Sequence, residues 1–289
     1  MKTILLTGAT GYLGKNLLNS LLTANYKVIA LVRKDTLTST LSRFENSLKV
    51  YCINEVELAS VFDSHQIDII IHTAASYGRK GENLSTLLQA NLHFPITILE
   101  LAIKKGIKHF INTDTALPKD LNNYSRSKKQ FLEWLIAYSH QINILNLQLE
   151  YFYGPNDDSS KFITYLLNEL TSGKKHIDFT AATPLRDFIY IDDVLDAYLL
   201  ILKNIENING LNTISIGSGK AVILKDLIIQ TQGLVNSHPI KLNFGAIPMR
   251  ENEMMYSCAD ISFLKALGWK PKYSFKEGIL QTIKIQKKK

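Results

Sequence analysis

Cysteine is almost missing from this chain. Of 289 residues only Cys52 and Cys258 carry thiols, far apart and without metal-type spacing. That scarcity excludes a disulfide framework, suggests no metal site and fits a reducing cytoplasm. Long apolar runs are missing too: IDIII and YLLIL fall well short of the ~18 residues that span a bilayer, so no membrane segment is expected. The opening MKTILLTGATG has an apolar part shorter than the ~7 to 15 residues of a signal h-region, and it reads as a strand. There is no internal repeat, low-complexity tract or long linker, so any domain division has to be made by interleaved segments. Acidic residues are outnumbered, 26 against 33 lysines and arginines, for a net charge of +7. Part of that excess is the terminal KIQKKK, which reads as a solvated tail. With no nucleic-acid motif in the chain, the diffuse basic balance suits an anionic small molecule.

What is present is a large core, with 46% hydrophobic residues. The runs TILLT, KVIALV, LKVYCI, IDIIIHT, HFINT and NILNLQL alternate with segments of helical spacing. Continuous apolar strands alternating with helices predict an α/β fold, a doubly wound parallel sheet covered on both faces. The first crossover carries TGATGYLG, placing Gly8, Gly11 and Gly14 between a strand and the helix KNLLNSLLTA. Glycines there permit a tight turn and close backbone approach to a pyrophosphate, which the N–H groups of the helix start can hold; this is the Rossmann fingerprint. The second strand ends LVRK. Where NAD-preferring folds place a carboxylate, Arg33 offers a fork-shaped cation suited to a 2′-phosphate, so NADP(H) is the expected cofactor.

The stretch NNYSRSKKQF places Tyr124 four residues before Lys128, ahead of an apolar stripe of Phe131, Leu132, Leu135 and Ile136. On a helix these two polar groups share a face, and a nearby ammonium favours the phenolate. The same spacing also occurs as a partly buried ring beside a snorkelling lysine. His72 reads as a packed strand histidine, and Trp134 and Tyr138 as core or helix-packing residues.

Taken together, TGATGYLG, Arg33, HTAA at 72–75, Asn91, Tyr124-x-x-x-Lys128, FYGP at 152–155, RDFIYIDDV at 186–194 and LGWKPKYSFKEGI resemble the extended short-chain dehydrogenase/reductases, the NAD-dependent epimerase/dehydratase family. The resemblance spans nearly the whole chain. It implies a catalytic Thr115, with Thr113 the competing choice, beside Tyr124 and Lys128: Thr115 hydrogen-bonds the substrate carbonyl, Tyr124 supplies the proton, and Lys128 holds the nicotinamide ribose while lowering the tyrosine pKa. It further implies cofactor contacts from Gly8, Thr10, Gly11, Tyr12, Leu13 and Gly14, then from Arg33, Thr73, Ala74, Ala75 and Asn91. The Asp-Glu pair of the family's dehydratases is replaced by Ala116 and Leu117, which disfavours dehydration.

The segments AASYGR, LEYFYGP and FGAIPMRENEMMYSCADISFLKALGWKP are similar to those of the CDP-paratose and CDP-abequose synthases. That likeness implies NADPH-dependent reduction of the 4-keto group of a CDP-linked dideoxyhexose for surface polysaccharide, by a homodimer. Arg186 and Arg250 match positions that hold substrate phosphates; Lys161, Tyr77 and Glu150 are further substrate candidates. Where the wider family has Arg-x-x-Asn, this chain has Gln148 and Tyr151. The expected division is 1–155 with 184–218 as the cofactor-binding lobe, and 156–183 with 219–289 as the sugar-binding lobe. An epimerase with tightly bound NAD and a non-catalytic NADP-sensing protein remain as rival readings.

Overall fold

The six apolar runs form six strands in the computed structural model, which describes residues 1–33, 46–53, 56–79, 81–235 and 240–286. They are β1 (Thr3–Thr7), β2 (Lys27–Val32), β3 (Leu48–Cys52), β4 (Ile69–His72), β5 (His109–Thr115) and β6 (Asn143–Leu149). With β10 (Leu211–Ile216) they make a seven-stranded sheet in the order β10-β6-β5-β4-β1-β2-β3, and the pairs from β3 through β5 are parallel. Flanked by helices, this is a Rossmann-like sheet. Its strand order reverses between β1 and β4, the place where such sheets take ligands beyond the carboxyl ends of the strands.

The helices of this part are α1 (Tyr12–Thr23), α2 (Leu58–Ser64), α3 (Leu84–Leu88), α4 (Phe94–Lys104) and α5 (Asn123–Tyr138). A π-helical turn, Gln89–His93, joins α3 to α4. The resulting segment Leu84–Lys104 is long and apolar enough to cross a membrane by length and composition. Within it, however, Ile98, Leu99 and Ala102 belong to the core cluster with Leu5, Ile70 and Phe110.

Helix α5 starts where it does because Asn122 caps it: the Asn122 side chain accepts from Ser125 N at 2.8 Å, and Ser125 Oγ accepts in return from Asn122 N at 3.3 Å. This capping box satisfies two N–H groups at the helix start. Downstream, Phe131 and Leu135 are fully buried and Tyr138 is partly buried against the core. Ile136, expected in that stripe, is instead 51% exposed, and Trp134, read as a core or helix-packing residue, is 46% exposed. Trp134 and Ile136 lie about 100° to either side of Leu135 on the helix, on the two flanks of the buried face.

The second part holds β7 (Tyr151–Tyr153), β8 (His176–Phe179), β9 (Leu185–Tyr190), β11 (Ala221–Ile223) and β12 (Lys241–Phe244). It also holds α6 (Phe162–Thr171), α8 (Leu224–Val235), α9 (Ser262–Ala266) and α10 (Phe275–Gln286), while α7 (Ile191–Lys203) follows β9 directly. The chain divides into Met1–Gln148 with Tyr198–Ile214, and Leu149–Ala197 with Ser215–Lys289. That boundary differs from the expected one. Residues 184–197 join the second unit because β9 pairs with β7 and β11 there, and the division falls inside α7. Helix α10 also takes in Lys284–Gln286 of the expected tail; Lys287–Lys289 lie outside the described residues.

The cap predicts a measurable penalty. Asn122→Ala should cost about 1 kcal/mol of stability in urea unfolding, and Asn122→Asp should recover most of it.

Candidate functional site

The turn between β1 and α1 is built around steric exclusions. Gly8 adopts φ +71, and a Cβ there would meet the backbone of Ala74 at 2.6 Å. A Cβ on Gly14 would stand 2.1 Å from Gly8 O and 2.9 Å from Thr73 Oγ1. These two glycines are therefore demanded by the chain itself. Gly11 is not: its φ is −69, and an added Cβ would make only an ordinary 3.4 Å contact with Gly8 O. Gly11 caps α1 without a side-chain hydrogen bond, and the first turn of α1 contains no acidic residue. The combination of a bare helix start and an unforced glycine fits a pyrophosphate drawn up against the backbone. Thr10, Tyr12 and Leu13 lie in this same turn and first helical turn, and Arg33 stands exposed just past β2.

The end of β4 is fastened to the end of β1. Thr73 Oγ1 donates to Thr7 O at 2.7 Å, Ala74 N donates to Thr7 Oγ1 at 3.3 Å, and Thr7 Oγ1 lies 2.8 Å from His72 Nδ1. His72 is fully buried among Phe94, Phe110 and Phe131, as a strand histidine should be. Burial, with a smaller effect from Lys128, holds its pKa well below the usual histidine range. Thr73, Ala74 and Ala75 line the stretch beyond. Asn91, in the π-helical turn, is a strut. Its Oδ1 accepts from Ser76 N at 2.7 Å, and its Nδ2 donates to Ser76 O at 2.8 Å and Ser127 Oγ at 3.0 Å. Fully buried, its amide is committed to holding the 73–76 loop against α5.

Tyr124 and Lys128 share one face of α5, and Lys128 is 1% exposed. Burial pushes the Lys128 ammonium down to about 8; Asp114 opposes the shift and Lys129 adds to it. Tyr124 moves the other way from expectation. Burial, reinforced by Tyr77 and Asp114, raises its phenol well above 10.0, and the cation pulling it down is Arg79 rather than Lys128. The Tyr77 ring lies 4.7 Å from the Tyr124 ring, and the Arg79 guanidinium lies 5.3 Å from the Tyr77 centroid. The sequence reading missed Arg79; the signal available was its place two residues after Tyr77 in AASYGR.

On β5, Thr113 Oγ1 is paired with the Tyr198 hydroxyl at 2.7 Å. Thr115 Oγ1 accepts from Leu117 N at 3.2 Å, which leaves its own proton available for donation. Asp114 is buried and engaged by Lys129 Nζ at 2.7 Å, Asn146 Nδ2 at 3.0 Å and Thr115 N at 2.7 Å. A carboxylate so occupied is poorly placed to serve as the acid of a dehydration, which removes the appeal of a Thr113–Asp114 register.

The remaining candidates fall in the second unit. Arg186 is buried and already has partners: it donates to Glu253 Oε1 at 2.6 Å, to Leu185 O at 2.9 Å and to Met254 O. Glu253, not the adjacent Asp187, is thus its carboxylate. Arg250 is exposed. Lys161 sits 4.1 Å from the Phe152 ring centroid and 4.0 Å from Asp157. Glu150 is buried and accepts from Ser257 Oγ at 2.6 and 2.7 Å. Burial raises its pKa to about 7, against the Ser257 hydrogen bond and with some help from Asp187. Among the described residues, no cluster of His, Cys, Asp and Glu could hold a metal ion.

Comparison with known proteins gives three findings. The model of the NAD dependent epimerase/dehydratase family matches residues 4–217. The chain is 34% identical to CDP-abequose synthase of Salmonella typhimurium, covering 97% of each, and 35% identical to CDP-abequose synthase of Salmonella muenchen, covering 99% and 98%. Its fold matches UDP-glucose 4-epimerase of Thermus thermophilus, solved in complex with NAD, with a TM-score of 0.81 at 19% identity over 99% of both chains.

Glu150 makes a pH prediction. A carboxyl whose folded pKa is raised from 4.5 to about 7 stabilises the fold fully below 4.5 and loses that contribution as pH rises through 7. Glu150→Gln should remove the loss, making the variant more stable than the parent at pH ~8, by up to about 3 kcal/mol in urea titrations.

Proposed function

The chain belongs to the NAD dependent epimerase/dehydratase family, and on that premise we propose that it is an NADPH-dependent reductase of nucleotide-linked sugars. The substrate that fits best is CDP-4-keto-3,6-dideoxy-D-glucose, reduced at C4 to CDP-abequose or CDP-paratose. The observation that carries this reading is the placement of Thr115, Tyr124 and Lys128 on β5 and α5 of the unit that holds the Gly8–Gly11–Gly14 turn. Full-length identity of 34–35% to two CDP-abequose synthases supports the sugar class.

Bound NADPH would supply a hydride to C4, and the chain manages the proton that must reach O4. Thr115 donates a hydrogen bond to the carbonyl oxygen and polarises it. Tyr124, held protonated by burial, is in the state a proton donor needs for reduction and delivers its proton to O4 as the hydride arrives. Lys128, charged below about pH 8, holds the nicotinamide ribose. Arg33 supplies the charge for a 2′-phosphate, favouring NADPH over NADH. Arg186 and Arg250 supply guanidinium groups suited to a substrate pyrophosphate.

An NADPH-oxidation assay with CDP-4-keto-3,6-dideoxyglucose tests the proposal, and the couplings of the product's C4 proton distinguish abequose from paratose. No consumption of NADPH, with NAD retained in the purified protein, would move the assignment to an epimerase. Tyr124→Phe should lower kcat by about 10²–10⁴-fold while leaving NADPH affinity nearly intact. Arg33→Glu should weaken NADPH at least about tenfold with little effect on NADH, since it places a carboxylate where a 2′-phosphate would sit.

A further inference from the structure

Behind the Thr115–Tyr124–Lys128 group runs a polar ladder that the proposed reaction does not use. Asn112 Nδ2 donates to Asn146 Oδ1 at 2.7 Å, and Asn146 Nδ2 donates to Asp114 Oδ2 at 3.0 Å. Lys129 Nζ closes the ladder, donating to Asp114 Oδ2 at 2.7 Å and to the carbonyl oxygen of Thr115 at 2.6 Å. The Asp114 carboxylate is wholly shielded from solvent and the Lys129 side chain is 15% exposed. A buried ion pair seldom stabilises a fold more than apolar residues of the same volume would, so its cost calls for another reason. Its connections supply one. Alternation along β5 puts Asn112 and Asp114 on one face and Thr113 and Thr115 on the other. Through Lys129, the strand end bearing Thr115 is tied to the helix bearing Tyr124 and Lys128. Lys129 also occupies a carboxylate that acts electrostatically on the adjacent Lys128.

We propose that Asp114 and Lys129 are positioning residues: the pair clamps Thr115 to α5 and sets the electric field at Lys128, keeping that ammonium for its ligand. This rests on the reductase reading for its catalytic consequence, but not for its electrostatic one. Among the described residues, the charges acting on Lys128 are Asp114 from β5 and Lys129 from its own helix; His72 of β4 responds to Lys128, and Tyr124 shares its helix face. Asp114 favours the protonated Lys128 and Lys129 disfavours it, so removing either charge shifts Lys128 in opposite directions, although both removals break the same clamp.

The test follows the Lys128 side-chain resonance by NMR across pH in protein labelled at lysine Cε, assigned with Lys128→Arg. Asp114→Asn should lower the midpoint and Lys129→Gln should raise it, while Lys129→Arg stays near the parent value. With substrate, Asp114→Asn and Lys129→Gln should each lose at least about tenfold in kcat with KM changed less than about threefold, and Lys129→Arg should recover most of the loss. Midpoints that do not move, or that move in the same direction, overturn the proposal, as does full kcat in Lys129→Gln. Should Asp114→Asn fail to fold, the Lys129→Gln midpoint alone decides. Opposite shifts in a protein without reductase turnover would sustain the electrostatic role and defeat the reductase reading instead.

Discussion

A methyl group on Gly14 would stand 2.1 Å from the carbonyl oxygen of Gly8, and one on Gly8 would strike the backbone of Ala74. The contact between the first turn of α1, the end of β1 and the end of β4 is therefore closed to any side chain. Much of the first unit depends on it. It brings the bare start of α1 to the point where the strand order reverses, lets Thr73 and Ala74 bond to Thr7, and sets the loop that Asn91 holds against α5. Gly11 is the exception, since no contact among the described residues requires it.

Upon this frame the chemistry is set by burial more than by local pairing. Tyr124 and Lys128 are both driven toward their neutral forms by loss of water. The pair is then better described as a phenol that keeps its proton and an amine held near its titration point than as a lysine-activated phenolate. For reduction of a carbonyl this is the useful arrangement, because the donor begins protonated. Arg79, beside Tyr77 and Tyr124, places a cation that favours the phenolate on an exposed loop.

The second unit shows the same logic with different groups. Asp187 accepts from Ser218 N, Ser218 Oγ, Gly219 N and Ala259 N, which makes it a structural anchor for the turn after β10. Its neighbour Arg186 faces Glu253, so a phosphate taken up there would exchange one anion for another. Glu150 has the Ser257 hydroxyl and, more weakly, the Arg186 charge against its burial; burial wins and its proton affinity rises.

Local rules made the six strands, the glycine turn and the start of α5 legible in the sequence. Hydrophobic period, glycine sterics and helix capping act over a few residues and leave their mark there. The Tyr124–Lys128 face was legible for the same reason, and His72 could be read as a packed strand residue from its apolar run. Only the tertiary structure decided which charges those groups meet. Asp114 is joined to Lys129 and Asn146, Arg186 to Glu253, and Thr113 to Tyr198. Trp134 and Ile136 emerge at the surface, and 184–197 is drawn into the second unit by the pairing of β9 with β7 and β11. These outcomes depend on water removed and partners supplied by segments far away in the chain, and no pattern within a dozen residues encodes either.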